Sequence, residues 1–216
     1  MAKRILVFGD SNTWGWNPAN DLVQKLFRWD DDVRWTGVMQ KKLGDDYLVI
    51  NSGLNGRTSV WDDPIEEYRC GKDQIIPTLD IHDPLDLVII FVGTNDLKVR
   101  YTVSAQDIAN GVGIIVDKTL HHAGCFGEGG PKVLLVCPPP LGPIENGVFA
   151  DMFEGNVEKS KKLPQYFEGV AKTYGTYYID AGQYVHSSEE DGLHLQDDQH
   201  AILGDVMADK VKEILG

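Results

Sequence analysis

The chain has 216 residues, a formal net charge of −13 and 42% apolar residues. One domain over 1–216 accommodates that length, with a core large enough to need no staples. The acidic balance argues against nucleic acid or an anionic membrane surface as partners, since both recruit basic patches. Three cysteines, Cys70, Cys125 and Cys137, are scattered without a C-x-x-C spacing. They suggest neither a disulfide framework nor a zinc site. The first apolar run ends at Gly9 and Asp10, too short for a signal peptide. No apolar stretch approaches the ~20 residues of a membrane span. A soluble, cytoplasmic protein is the expectation.

In chain order, Ile5 to Phe8 reads as the first strand. The segment 33–43 reads as a helix stopped at Gly44. Tyr47 to Ile50 is the second strand. The third, Leu85 to Val92, is apolar almost throughout, as a strand buried on both faces of a parallel sheet is. A helix is predicted over 104–123. Ser104 caps it, Asp107 stands three residues on, and Ile108, Val112, Ile115, Val116 and Leu120 form its apolar face. Gly124 stops it. Val133 to Val136 is the fourth strand. A weaker helix over 156–174 is interrupted by Pro164, and Thr176 to Ile179 is a weaker fifth strand. The last helix starts near Asp197, with Ile202, Leu203, Val206, Met207, Val211, Ile214 and Leu215 as its apolar face. This alternation predicts a doubly wound α/β sheet, whose ligand site lies beyond the carboxyl ends of the strands.

The residues at those ends form a coherent set. They are Gly9-Asp10-Ser11-Asn12-Thr13, Asn51 to Gly56, Gly93-Thr94-Asn95-Asp96 and, before the last helix, Asp191-Gly192-Leu193-His194. A serine hydroxyl needs a base within hydrogen-bond reach, and His194 can serve. Asp191 can fix the histidine tautomer. A tetrahedral intermediate needs donors aimed at its oxyanion, and the Ser11 N–H, the Gly56 N–H and the Asn95 amide are candidates. Gly53 rivals Gly56. Each segment alone is weak: a serine after a strand is often a helix cap, and Asn and Asp favour turns. Their joint placement at predicted strand ends carries the argument.

These four blocks, in this order over essentially the whole chain, resemble those of the SGNH or GDSL hydrolase superfamily. Thr13-Trp14-Gly15-Trp16, Val33 to Gly37, Pro138-Pro139-Pro140-Leu141 and Phe153-Glu154-Gly155 are similar to its arylesterase and acyltransferase branch. The resemblance implies a three-layer α/β/α flavodoxin-like fold with a central parallel sheet of about five strands. It implies a serine esterase for short acyl groups, with Ser11, His194 and Asp191 catalytic, Ser11, Gly56 and Asn95 forming the oxyanion hole, and no metal or cofactor. Transfer of the acyl group to alcohols or peroxide is implied too, as is a homo-oligomer, octamers included.

The pocket is expected to include Asn12, Trp14, Trp16, Phe153 and Leu193. The segments 17–32 and 70–82 are expected to shape its entrance. Phe149 and Phe153 suit either the pocket or an oligomer contact. Asp10 and Asp96 read as structural anchors and His200 as a packing residue. The runs Asp30-Asp31-Asp32, Asp45-Asp46, Asp62-Asp63 and Glu189-Glu190-Asp191 read as solvated loops, and Cys137 as a buried hydrophobe. A carbohydrate O-deacetylase with the same mechanism is the closest alternative. A flavodoxin-like binding module is the alternative of another class, although the first strand-to-helix turn lacks a phosphate-binding glycine pattern.

Overall fold

A computed structural model describes residues 2–20, 26–122, 130 and 132–216. Gly124, expected to stop a helix, and Cys125 lie outside the described residues. Five strands form one all-parallel sheet: β1 Lys3–Gly9, β2 Tyr47–Gly53, β3 Leu87–Phe91, β4 Lys132–Cys137 and β5 Tyr177–Asp180. Their spatial order is β2-β1-β3-β4-β5. All five predicted strands are present. The helices are α1 Ser11–Trp14, α2 Trp35–Leu43, α3 Gly71–His82, α4 Ala105–His121, α5 Ala150–Phe153, α6 Val157–Ser160, α7 Leu163–Tyr174 and α8 Asp197–Leu215.

Strand side chains alternate between two apolar layers. Leu6, Phe8, Val88, Ile90, Val133 and Leu135 pack with Ile75, Leu79, Ile108, Val112 and Phe167 of α3, α4 and α7. Ile5, Val7, Leu87, Ile89, Leu134 and Val136 pack with Trp35, Met39, Leu203, Met207 and Val211 of α2 and α8. Burial on both faces explains the continuous apolar reading of β3.

Local rules explain most helix ends. Ser104 Oγ accepts from the Asp107 N–H at 3.1 Å and the Asp107 carboxylate accepts from the Ser104 N–H at 3.2 Å, closing a capping box on α4. The segment read as one interrupted helix is two, α6 and α7, because Pro164 occupies the first turn of α7, where its missing N–H has no intrahelical partner to lose. The segment 70–82, expected to shape the entrance, is largely helix α3. Pro77 argues against a helix there, yet burial of Ile75 and Leu79 holds one. On α8, Ile202 is 41% exposed and falls outside the apolar face predicted for it.

The chain order reverses at β1, whose neighbours are β2 and β3. The crevice beyond their carboxyl ends is the switch point where such sheets hold ligands. Ser11 follows β1 directly, and Asn95 follows β3.

Candidate active site

The turn after β1 is built by Asp10. Its carboxylate accepts from the Asn12 N–H at 3.0 Å and so caps α1. Burial pushes the Asp10 carboxyl up to about 6, against the Asn12 bond and the nearby charges of His194 and Arg57. The one-turn helix then seats Ser11 on the sheet edge. Gly53 permits this, because a Cβ there would collide with the backbone nitrogen of Trp14. Arg57 ties the neighbouring strand ends together. Its buried guanidinium donates to the carbonyls of Gly9, at 2.7 Å, and Ser52, and lies 3.9 Å from the Phe8 ring centre.

From Ser11 a continuous chain of polar contacts runs inward. The Ser11 Oγ lies 2.9 Å from His194 Nε2, and His194 Nδ1 lies 2.5 Å from an Asp191 carboxylate oxygen. The other Asp191 oxygen accepts from Ser188 Oγ at 3.0 Å and from the Leu193 and His194 N–H groups at 2.9 Å each. Burial works to raise the Asp191 carboxyl, but the His194 charge and these bonds together hold it below the ordinary carboxylate range.

Beside Ser11 opens a cavity of about 240 Å³, lined by Trp16, Asn55, Gly56, Thr94, Asn95, Phe149 and Phe153 among others. Three donors border it. The buried Asn95 Nδ2 has no hydrogen-bond partner among the described residues. The Gly56 and Ser11 N–H groups likewise bond no described acceptor. The Gly53 N–H, by contrast, is engaged by Asn51 Oδ1 at 2.9 Å. Gly56 adopts a φ of 77°, which a side chain would strain.

The expected pocket residues divide. Trp16, Phe153 and Leu193 line the cavity. Trp16 also stacks on the His194 ring, with centroids 5.2 Å apart. Asn12 does not line it. Its side chain accepts from the Leu195 N–H at 3.0 Å and donates to the Leu193 carbonyl at 3.3 Å, clamping the loop that carries His194. Trp14 does not line it either, but packs beneath the Arg28 guanidinium at 4.7 Å. The described residues of 17–32, a segment expected to shape the entrance, contribute no lining side chain. Phe149 belongs to the cavity and meets the His194 ring edge-on at 5.6 Å.

Thr94 and Asn55, within the strand-end segments, line the cavity as well, whereas Met152, Glu66 and Lys98 line it and were not legible as site residues. Lys98 and Glu66 are ordinary surface residue types, and only tertiary placement reveals them. Asp63, expected in a solvated loop, is 5% exposed and heavily hydrogen-bonded. Asp96 anchors the loop after Gly56 by accepting from the Ser59 N–H, at 3.0 Å, and its hydroxyl. Burial pushes its carboxyl up to about 7. His200 is fully buried and accepts from the Trp35 N–H through Nδ1. Among the described residues, Asp62, Cys70 and Asp73 bring ligand atoms within 4.8 Å of one another, but none of the three lines the cavity.

Residues 7–202 match the family model of the GDSL-like lipase/acylhydrolase family. The chain belongs to this family. Solved structures superpose on nearly its full length. The aryl esterase of M. smegmatis shares 40% identity at a TM-score of 0.93, with 99% of this chain and 100% of that one covered. A carbohydrate acetylesterase from Sinorhizobium meliloti gives the same four figures. A second carbohydrate acetylesterase family member from that organism shares 33% identity at 0.91, with 99% of each chain covered. No curated protein matches the chain. This GDSL-family chain has the α/β architecture of the SGNH hydrolases and is a carboxylic ester hydrolase. The reading as a flavodoxin-like binding module is thereby set aside.

Proposed function

We propose that the enzyme hydrolyses short-chain acyl esters, acetyl esters foremost, through a Ser11–His194–Asp191 triad and an acyl-enzyme. The observation that carries this reading is the unbroken Ser11–His194–Asp191 contact chain facing three donors that lack acceptors among the described residues. Ser11 Oγ attacks the ester carbonyl carbon while His194 Nε2 takes its proton. Asp191 holds the Nδ1–H and stabilises the imidazolium. The carbonyl oxygen becomes an oxyanion bound by the Ser11 N–H, the Gly56 N–H and Asn95 Nδ2. His194 returns its proton to the departing alkoxide or phenoxide oxygen. Water then attacks the acyl-enzyme, His194 takes its proton, and the acid leaves as Ser11 recovers its hydrogen.

An alcohol or peroxide in place of that water gives acyl transfer. The wall of Trp16, Phe149, Met152 and Phe153 favours this route, because it limits water around the acyl-enzyme. Aryl leaving groups find Trp16 and Phe149 beside the general acid. The acetylesterase neighbours keep sugar acetates as the second reading. Assembly into a homo-oligomer belongs to the same proposal. It is supported by the exposed apolar side chains of Ile65 and Tyr68, which flank Glu66 and Glu67 near the cavity.

The test is hydrolysis of p-nitrophenyl acetate, butyrate and octanoate. Ser11→Ala is expected to remove nearly all turnover, with acetate the best substrate of the wild type. Asn95→Ala is expected to lose about 3 kcal/mol of transition-state stabilisation, mostly in kcat. Equal rates for wild type and Ser11→Ala would overturn the nucleophile. A near-wild-type Asn95→Ala would remove that side chain from the oxyanion hole.

A further inference from the structure

The cavity has two unlike linings. Trp16, Phe149, Met152, Phe153 and Leu193 are apolar, whereas Glu66 and Lys98 bring charge to the same space. Lys98 is only 2% exposed. Its ammonium donates to Asp63 at 3.1 Å and to Glu66 Oε1 at 3.2 Å. Asp63 also accepts from Arg100 and the Tyr101 hydroxyl, at 2.8 Å each, and from the Ile65 and Glu66 N–H groups. Its acceptor capacity is filled, and its role is to pin Glu66 over the cavity.

Glu66 and Lys98 are not filled. No described residue donates to Glu66 Oε2, which sits where it would clash with a Cβ on Gly56. An ammonium has three N–H donors, and two of those on Lys98 are engaged. Lys98 and Arg100 balance Asp63 and Glu66 within the hydrogen-bonded cluster, and Arg69, whose Nε lies 3.4 Å from the Cβ position on Gly56 that Glu66 Oε2 also approaches, does not line the cavity. What remains in this cluster is one acceptor and one donor, and the buried Asn55 Oδ1, which has no partner among the described residues, adds a further acceptor to the same lining. A hydroxyl group satisfies the acceptor and the donor of the cluster at once. An alkyl chain in the same place would leave them unpaired, which is how polar pockets reject analogues that lack the polar group.

The direction of the reaction says which part of the substrate meets them. The leaving oxygen must lie within reach of His194 Nε2, beside Trp16 and Phe149. Glu66 adjoins Gly56, and Lys98 ends the short turn begun by Asn95, so both stand on the side of the oxyanion donors. The substituent left to face them is the acyl group.

We propose that the Glu66–Lys98 pair is a hydroxyl-recognising subsite for the acyl part of the substrate, so that short hydroxyacyl esters are favoured over alkyl esters of equal length. The proposal rests on the reading of Ser11 as nucleophile. It is tested with p-nitrophenyl 3-hydroxybutyrate and p-nitrophenyl butyrate, which differ by one hydroxyl. The readout is the ratio of their kcat/KM values in wild type, Glu66→Leu, Glu66→Gln and Ser11→Ala, with folding checked by circular dichroism. Glu66→Leu is expected to lower the ratio at least tenfold, mainly through KM of the hydroxyacyl ester. Glu66→Gln, whose amide still bonds a hydroxyl, is expected to recover part of it. A Glu66→Leu ratio within twofold of wild type would overturn the subsite, as would equal losses on both esters, which would mark Glu66 as support for the Gly56 loop. A sugar acetate, compared with p-nitrophenyl acetate, supplies the last arm. A Glu66→Leu loss on the sugar acetate relative to p-nitrophenyl acetate, with the hydroxybutyrate ratio unmoved, would place hydroxyl recognition on the alcohol part and overturn the proposal. Retained turnover in Ser11→Ala would overturn the nucleophile reading and the subsite with it, whereas a failure confined to the ratio would overturn the subsite alone.

Discussion

His200 lies six residues beyond the proposed base in sequence but plays an opposite part, buried where a charge finds no water. Burial, then the charges of His194 and Arg34, push its pKa down to about 3. The unfolded chain binds this proton near ~6.5, so between about 6.5 and 3 the unfolded state holds a proton that the folded state refuses. The stability His200 contributes is therefore complete above about pH 6.5 and lost progressively as pH falls. Relative to His200→Gln, wild type is expected to lose about 2 kcal/mol of unfolding free energy between pH 7.5 and 5. Urea melts at the two pH values would measure it, and a pH-independent difference would refute a neutral buried imidazole. At this scale the sequence was readable where chemistry coincides with a strand end. Ser11, Gly56, Asn95, Asp191 and His194 all meet at one crevice. It was not readable where one position decides a direction: Trp16 faces the cavity, while Trp14, two residues before it across a left-handed Gly15, packs on Arg28. Glu66 and Lys98 escaped for a different reason, since only the folded loop brings 63–66 against 98.

At the scale of elements, the nucleophile depends on how closely α1 approaches β2. Gly9 and Gly53 are register partners at the ends of their strands, and both lie against residues of α1. Gly53→Ala is expected to displace that turn and lower kcat at least tenfold. Gly169→Ala in α7 meets no neighbouring atom and is expected to leave turnover unchanged. Parallel p-nitrophenyl acetate assays would check both, and wild-type kcat in Gly53→Ala would show that the turn tolerates the shift. The strands and α4 were legible because period, capping residues and burial agree on them. Helix α3 was not, because Pro77 contradicts a helix locally and only the packing of Ile75 and Leu79 outweighs it.

Across the whole molecule, the large apolar side chains exposed to water include Ile65, 74% exposed, and Tyr68, 83% exposed, on the loop that carries Glu66. Large side chains left in water on one loop are a mark of contact surfaces. Sedimentation analysis is expected to find a homo-oligomer that Ile65→Asp weakens. A monomeric wild type would refute the assembly, and an undisturbed oligomer in the variant would move the contact elsewhere.

The Ser11–His194 contact joins positions 183 apart, and Asn12 clasps the same distant loop. Neither bond can exist until the C-terminal portion of the chain has docked on the first strand, long after local helices can form. Enzymatic activity is therefore a clock for the completion of folding. In refolding from denaturant, far-ultraviolet signal is expected to return first and turnover last, with Asn12→Ala widening the gap. Simultaneous recovery of the two signals would mean that the ends of the chain meet as early as its middle.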